Sequence, residues 1–135
     1  MKKLWLFLCA ISLCGCQSSN IHVCKMTDGN YKWEVEYHTN DANEVVSMKQ
    51  TVEIQADDAK ELEESLVALD EIFEEYVESY KEACHLEKTQ QELVAKRVLS
   101  VDASKLTFKQ REMMSLEKDA EYIIMQLEYA GYTCK

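Results

Sequence analysis

Apolar and polar residues alternate along the early part of the chain in a pattern that predicts antiparallel β-strands. In residues 31–37 aromatic and aliphatic side chains alternate with lysine and glutamate, and residues 46–54 repeat the alternation. A period of two predicts strands with one buried face. Turn-forming residues at 27–30 and 40–43 separate the strands, and residues 22–26 are the expected hairpin partner before the first turn. The sequence therefore predicts a three-stranded meander.

The apolar spacing then changes to alternating steps of three and four residues, which predicts an amphipathic helix. Asp57 or Asp58 can cap its start, and the pattern continues to about Ala83. Glutamate fills most of the other positions, so one face suits the sheet and the other suits solvent. The apolar stripe consists of Leu62, Leu66, Leu69, Phe73, Tyr76 and Tyr80.

The region after this helix is ambiguous, because residues 86–101 fit a helical pattern poorly and Arg97 interrupts a strand pattern. The β-branched side chains of Val98 and Val101 favour strands. Residues 102–105 then form a predicted turn. We therefore expect further strands between the long helix and the last part of the chain.

The last part of the chain predicts a final helix. Residues 107–114 suit either a short helix or an ordered loop, and Ser115 is expected to cap the helix that Gly131 ends. Residues 132–134 form an extended tail. The apolar positions of this helix are Leu116, Ala120, Ile123, Leu127 and Ala130. The predicted fold class is α+β, with an antiparallel sheet and two helices packed on one of its faces.

The first sixteen residues have the layout of a bacterial lipoprotein signal. Two lysines follow Met1, an apolar run occupies residues 4–12, and residues 13–16 are Leu-Cys-Gly-Cys. The run is shorter than the roughly 20 apolar residues that span a bilayer. We expect cleavage before Cys16 and a diacylglyceryl group on its thiol, whose two acyl chains hold a protein stably in a membrane.

This interpretation divides the chain into a cleaved signal peptide (1–15), an anchor and tether (16–22) and one α+β domain (23–135). A tether of six residues, 17–22, reaches at most about 20 Å, so the domain is expected close to the extracytoplasmic face of the cell membrane. Without the two signal lysines, 13 basic and 25 acidic residues leave a net charge of −12. Such a charge argues against a nucleic-acid partner and predicts repulsion from anionic headgroups.

Several short segments of the chain resemble a known family. They are the lipobox at 13–16, the turn at 28–29, the step into the third strand at 43–45, and the segments 101–106 and 130–135. In these segments the chain resembles the YehR-like family of small bacterial lipoproteins, whose function is unknown. The resemblance implies strands in residues 86–101 and transfers no active site. The glutamate-rich helix and the lack of a glycine turn near Cys84 depart from the family.

The cysteines suggest one disulfide bond. Of the six cysteines, four follow residue 15, and Cys16 is assigned to the lipid. Cys24, Cys84 and Cys134 remain in an oxidising compartment, where three thiols allow three pairs. We favour Cys24–Cys134, which joins the first strand to the tail and stabilises the fold by about 4–5 kcal/mol in the chain-entropy model. Cys84 is then a buried apolar residue, since no Cys-X-X-Cys motif is present.

The sequence predicts no catalytic, cofactor-binding or metal-binding residue. The glutamates within residues 71–78 share a helix face, but such a face offers too few convergent oxygens for calcium. His22, His38 and His85 lie far apart and lack the spacing of zinc ligands. Nucleophile elbows and glycine-rich phosphate loops are also missing from the sequence.

The favoured function is a non-enzymatic domain that binds an envelope protein or a small ligand. An exposed apolar patch on the free face of the sheet would support it. One alternative is an envelope hydrolase whose two carboxylates meet only in the fold, and another is a thiol-redox accessory that uses Cys84. A binding surface could also come from the exposed members of an aromatic set. These residues are Tyr31, Trp33, Tyr37, Tyr76, Tyr80, Tyr122, Tyr129 and Tyr132.

Overall fold

A computed structural model describes residues 20–135, which form a six-stranded antiparallel sheet with helices on one face. The strands lie in the order β4-β5-β3-β2-β1-β6. The predicted α+β fold class is therefore confirmed. The signal peptide and Cys16 lie outside the described residues. The elements are β1 (Asn20–Asp28), β2 (Tyr31–Thr39), β3 (Val45–Gln55), α1 (Ala59–Ser79), β4 (Cys84–Gln91), β5 (Val94–Asp102), a 3-10 turn (Ala103–Lys105), α2 (Phe108–Met113), α3 (Ala120–Tyr129) and β6 (Thr133–Cys134).

The first three strands form the predicted meander. Gly29 has a φ of 56° in the β1–β2 turn, a conformation that glycine adopts at little cost. In the β2–β3 turn, the side-chain oxygen of Asn40 accepts hydrogen bonds from the backbone N–H groups of Ala42 and Glu44, both at 3.0 Å. β1 begins at Asn20, three residues before the predicted start of the domain, so part of the predicted tether is strand.

Helix α1 covers β3, β4 and β5 with the predicted apolar stripe. Asp58 caps its start, because its side chain accepts a hydrogen bond of 2.8 Å from the N–H of Glu61. The helix ends at Ser79 rather than near Ala83 as predicted. Residues 81–83 leave the helix because Cys84 pairs with Val101 and starts β4, which only the sheet determines.

The ambiguous region consists of two strands, as the β-branched residues and the family resemblance indicated. β4 and β5 form a hairpin, and β5 pairs with β3 from Ser47–Asp102 to Gln55–Val94. Arg97, which interrupted the strand pattern, points to the covered face and is 6% exposed. Its burial therefore requires a partner from another element.

The region before α3 contains a short helix, which was one of the two predicted alternatives, but the residue that caps α3 is not the predicted one. Residues 108–113 are a helix, started by a capping box in which Thr107 and Gln110 exchange hydrogen bonds. Ser115 caps nothing and has a φ of 57° in the connecting loop. The cap of α3 is Asp119, which accepts a hydrogen bond of 3.0 Å from the N–H of Tyr122. Leu116 precedes the helix and fills the core from the loop.

The chain ends on the β1 edge of the sheet, where β6 pairs with Cys24 and Lys25. Helix α3 packs against β1 and β6, and its Ile123 joins the same core cluster as the stripe of α1. Both long helices therefore lie on one face, as predicted. Among residues 20–135, the helices are too short or too polar to cross a membrane.

Candidate functional site

The face of the sheet opposite the helices is a broad polar surface, which we call the open face. It follows from the alternation in β1–β5, because each apolar residue that points to the helices has polar neighbours that point away. Four lysines and four glutamates lie on it in the sheet register. They are Lys25, Lys32, Lys49, Lys96, Glu34, Glu36, Glu53 and Glu87.

Opposite charges face each other across neighbouring strands of the open face. Lys25 Nζ lies 3.3 Å from Glu34 Oε2, and Lys32 Nζ lies 3.7 Å from Glu53 Oε1. These side chains are largely solvated, so each pair contributes at most about 1 kcal/mol to stability. The register also pairs Glu36 with Lys49. The open face therefore carries mixed charge on a domain that is acidic as a whole.

Two open depressions mark this face. The first, about 630 Å³, crosses the middle of the sheet and is lined by Lys25, Glu34, Lys49 and Lys96 among others. The second, about 670 Å³, lies at the end of the sheet where β4 begins. Charged and polar residues make up most of both linings, while apolar atoms supply about as much of the exposed surface, so neither depression is the apolar patch expected on the free face. Glu34 and Glu53 both line the first depression, and each forms an ion pair with a lysine of the neighbouring strand.

Two of the three histidines, His38 and His85, border the second depression, and the third lies on the other face of the sheet. His38 Nε2 is 2.6 Å from Glu36 Oε1 on the open face, and His85 borders the same second depression from β4. His22 belongs to β1 rather than to a tether and pairs with Tyr37 on the covered side. Its Nε2 is buried without a hydrogen-bond partner. Within residues 20–135, no group of three or more possible ligands could hold a metal ion.

Cys24 and Cys134 face each other across β1 and β6. Their Sγ atoms are 2.03 Å apart and their Cα atoms 4.0 Å apart. The neighbouring pair, Val23 and Lys135, exchanges two backbone hydrogen bonds of 3.1 and 2.9 Å. Cys24 is fully buried. The geometry therefore brings together the two cysteines that the sequence favoured, and it ties the last strand to the first.

Cys84 is the remaining cysteine of the described region and is buried on the covered face. Burial raises the pKa of its thiol. A higher pKa leaves less thiolate at neutral pH, and the thiolate is the reactive form. The surroundings of Cys84 therefore argue against a redox role.

The acidic side of α1 meets two basic residues of the sheet. Arg97 binds the Asp70 carboxylate in a bidentate manner, with Nε–Oδ1 at 2.6 Å and Nη2–Oδ2 at 3.0 Å. The hydrogen bond from Arg97, with smaller contributions from its charge and from Lys88, holds the pKa of Asp70 below its usual range against the effect of burial. The contacts join α1 to β4 and β5. Glu71, Glu75 and Glu78 remain on the solvated side.

The aromatic set divides as the sequence indicated, with most members in or against the core. Tyr37 is buried, and burial together with the nearby Tyr132 raises its pKa to about 12. Tyr122 and Tyr129 are exposed on α3. The sequence did not single out Phe108 and Met113, which are also exposed on α2. A capping box at residues 107–110 could have located this helix and its outward residues.

Comparisons with known proteins support the fold alone. No protein-family model matches the chain, and no curated protein matches it either. The chain is similar in structure to a protein from Streptococcus pneumoniae TIGR4 solved by NMR, with 14% identity, a TM-score of 0.57, and coverage of 88% of this chain and 87% of that one. It is also similar to the NMR structure of the Escherichia coli YehR protein, with 14% identity, a TM-score of 0.60, and coverage of 87% and 91%.

Proposed function

We propose that the protein is a membrane-anchored lipoprotein of the YehR-like family. Its domain binds a protein or a small ligand at the cell envelope and catalyses no reaction. The lipobox at residues 13–16 supports the anchor, and the shared fold with the YehR protein supports the family. A start of β1 at Asn20 leaves three residues after Cys16, so the domain lies next to the membrane.

The observation that carries the binding function is the uncovered open face. All the described helices lie on the other side or at the end of the sheet, so five strands present their polar residues to solvent. A rigid sheet holds these side chains at fixed spacing without the cost of ordering a loop. Lys49 and Lys96 lie in the first depression among glutamates, which suits a ligand that presents both charges.

Membrane fractionation tests the anchor. We expect the wild-type protein in the membrane fraction with a diacylglyceryl mass on its N-terminal peptide. The variant Cys16→Ser should keep its signal peptide uncleaved by the lipoprotein peptidase and carry no lipid mass. A wild-type protein that lacks the lipid mass would contradict the anchor.

Crosslinking in intact membranes tests the binding function. The double variant Lys49→Glu/Lys96→Glu changes the open face, and Lys60→Glu/Lys118→Glu makes the same charge change elsewhere on the surface. We expect the first variant to lose the crosslinked partner and the second to retain it. Equal crosslinking of both variants would exclude the open face as the binding surface.

A further inference from the structure

The start of β1 lies at one end of the sheet together with three connections: the β2–β3 turn, the segment between α1 and β4, and the segment that follows β5. Ile21, His38, Ser47 and Asp102 form one row across four strands, so β1 starts where β5 ends. The 3-10 turn and α2 continue directly from that end of β5. We call this the anchor end, because Asn20, the first described residue, lies there.

Two hydrogen bonds, one from α2 and one from the start of α3, attach the 103–118 segment to the anchor end of the sheet. The guanidinium of Arg111 donates a hydrogen bond to the carbonyl oxygen of Val45 at the start of β3. The N–H of Ala120 donates to the carbonyl oxygen of Asn43 at 3.0 Å, which fixes the start of α3 beside the β2–β3 turn. The segment between these contacts is therefore attached to the end of the sheet nearest to residue 20.

The charge of the 103–118 segment is opposite to that of the whole chain. It contains four basic and two acidic residues, a net charge of +2, in a chain whose net charge is −10. Lys109 is exposed, and Lys105 lies 4.0 Å from Asp102 at the edge of the segment. Acidic residues border this basic area on two sides, in the neighbouring turn and near the end of α1. They are Asp41, Glu44, Glu78 and Glu82.

Large apolar side chains are exposed within the same basic area. Phe108 is 70% exposed and Met113 is 65% exposed. The ammonium of Lys118 lies 5.9 Å from the centre of the Tyr122 ring, which is also exposed. At the opposite end of α3, Tyr129 is 93% exposed, but its neighbour there is Glu128. The combination of an exposed aromatic ring and neighbouring lysines therefore distinguishes the anchor end.

The length of the chain before Asn20 determines which end can meet a bilayer. Cys16 precedes Asn20 by four residues, which span at most about 14 Å when fully extended. A lipid on Cys16 therefore holds the anchor end within the reach of the headgroups. Aromatic rings and lysines are the side chains that favour this interface.

We propose that the anchor end is a membrane-contact surface, in which Phe108 enters the interface of the bilayer while Lys105 and Lys109 contact phosphates of anionic lipids. This inference rests on the proposed lipid anchor. The contact orients the open face sideways and leaves it accessible to a partner.

Fluorescence quenching by lipid tests the insertion of Phe108. The full-length lipidated protein is placed in vesicles of phosphatidylethanolamine and phosphatidylglycerol with brominated acyl chains. Phe108→Trp is compared with Tyr129→Trp, after subtraction of the parent emission from Trp33. We expect at least twofold stronger quenching at position 108, because position 129 lies at the other end of α3.

Mass spectrometry of the N-terminal peptide shows whether the chain carries the lipid, so failure of the anchor can be distinguished from failure of the contact surface. A chain without the lipid mass overturns both. A lipidated chain with equal quenching at 108 and 129 overturns only the contact surface. If the fluorescence at position 108 of the Phe108→Trp protein is shielded from a water-soluble quencher in native membranes but not in lipid vesicles, a protein partner covers the surface. That result would also overturn the inference.

Charge reversal tests the contribution of the lysines. In the Phe108→Trp protein, Lys105→Glu/Lys109→Glu should reduce quenching at least twofold in anionic vesicles. Lys60→Glu/Lys96→Glu introduces the same charge change at the opposite end and should leave quenching unchanged. An equal effect of the two pairs would contradict a local contact with headgroup phosphates.

Discussion

The two faces of the sheet carry different kinds of interaction. On the covered face, Val52, Ile54 and Leu99 are almost fully buried and contact the stripe of α1. On the open face, pairs such as Lys25–Glu34 remain solvated. Buried apolar contacts are sensitive to the loss of a single methylene, whereas solvated ion pairs contribute little. The covered face therefore stabilises the fold, and residues of the open face can change with little loss of stability.

Removal of the disulfide, which lies on the covered face, should give the largest loss of unfolding free energy. The variant Cys24→Ser/Cys134→Ser should lose about 4–5 kcal/mol of unfolding free energy, because the unfolded chain regains the freedom of a loop of about 110 residues. Urea unfolding followed by circular dichroism measures the loss. The wild-type protein, unfolded without reductant, should show one free thiol from Cys84. Three free thiols would contradict the disulfide.

Truncation of a core residue should have the next largest effect. Leu99→Ala should lower the unfolding free energy by about 3 kcal/mol, because a fully buried leucine leaves a cavity. Val98→Ala, the neighbouring position on the open face, should cost less than about 1 kcal/mol. Equal losses from the two variants would remove the distinction between the faces.

The contribution of the Arg97–Asp70 ion pair to the unfolding free energy should depend on pH. Asp70→Asn should cost about 2–3 kcal/mol, less than the full loss of a buried pair because Asp70 is partly solvated. The lowered pKa of Asp70 means that its contribution is present above the pKa of the unfolded carboxyl, about 3.9, and is lost as the pH falls through the folded pKa. Unfolding of both proteins between pH 7 and pH 2 should converge at the acidic end.

A double variant that removes both charges tests whether the ion pair itself stabilises the fold. Arg97→Met/Asp70→Leu should recover most of the stability that Asp70→Asn loses, because neither buried position then carries an unpaired charge. The measurement is again urea unfolding at pH 7. A double variant less stable than Asp70→Asn would show that the ion pair itself stabilises the fold.

Changes on the open face should have the smallest effect on stability. Lys32→Ala and Glu53→Ala should each change the unfolding free energy by less than about 1 kcal/mol, and added salt should reduce the difference. Thermal unfolding at low and high salt measures both. A loss comparable to that of Leu99→Ala would show that the open face is structural.

Several elements follow from local patterns in the sequence. The alternation in residues 31–37 and 46–54 led to β2 and β3, and the stripe from Leu62 to Tyr80 led to α1. The prediction failed at ends of elements. Nothing local distinguishes residues 81–83 from helix, and Asp119 rather than Ser115 caps α3 because Leu116 is needed in the core.

Arg97 shows why the candidate sites could not be read from the pattern. Its charge looked out of place in a strand, and only the position of Asp70 on α1, 27 residues earlier, explains its burial. The open face is similar, because each of its lysines is an ordinary polar position in its own strand. Their common surface depends on the register of four pairings.

The kinds of element, the face that each one buries and the cysteine pair to expect could be predicted from the amino-acid sequence. Periodicity acts over a few residues, which is enough to predict the elements and their buried faces, and the cysteine pair was inferred from where those elements place the first strand and the tail. The tertiary structure decided the strand order, the partner of Arg97, the end of α1 and the position of the 103–118 segment beside the start of β1. These depend on contacts between residues far apart in the chain, where packing and hydrogen-bond satisfaction outweigh local preference.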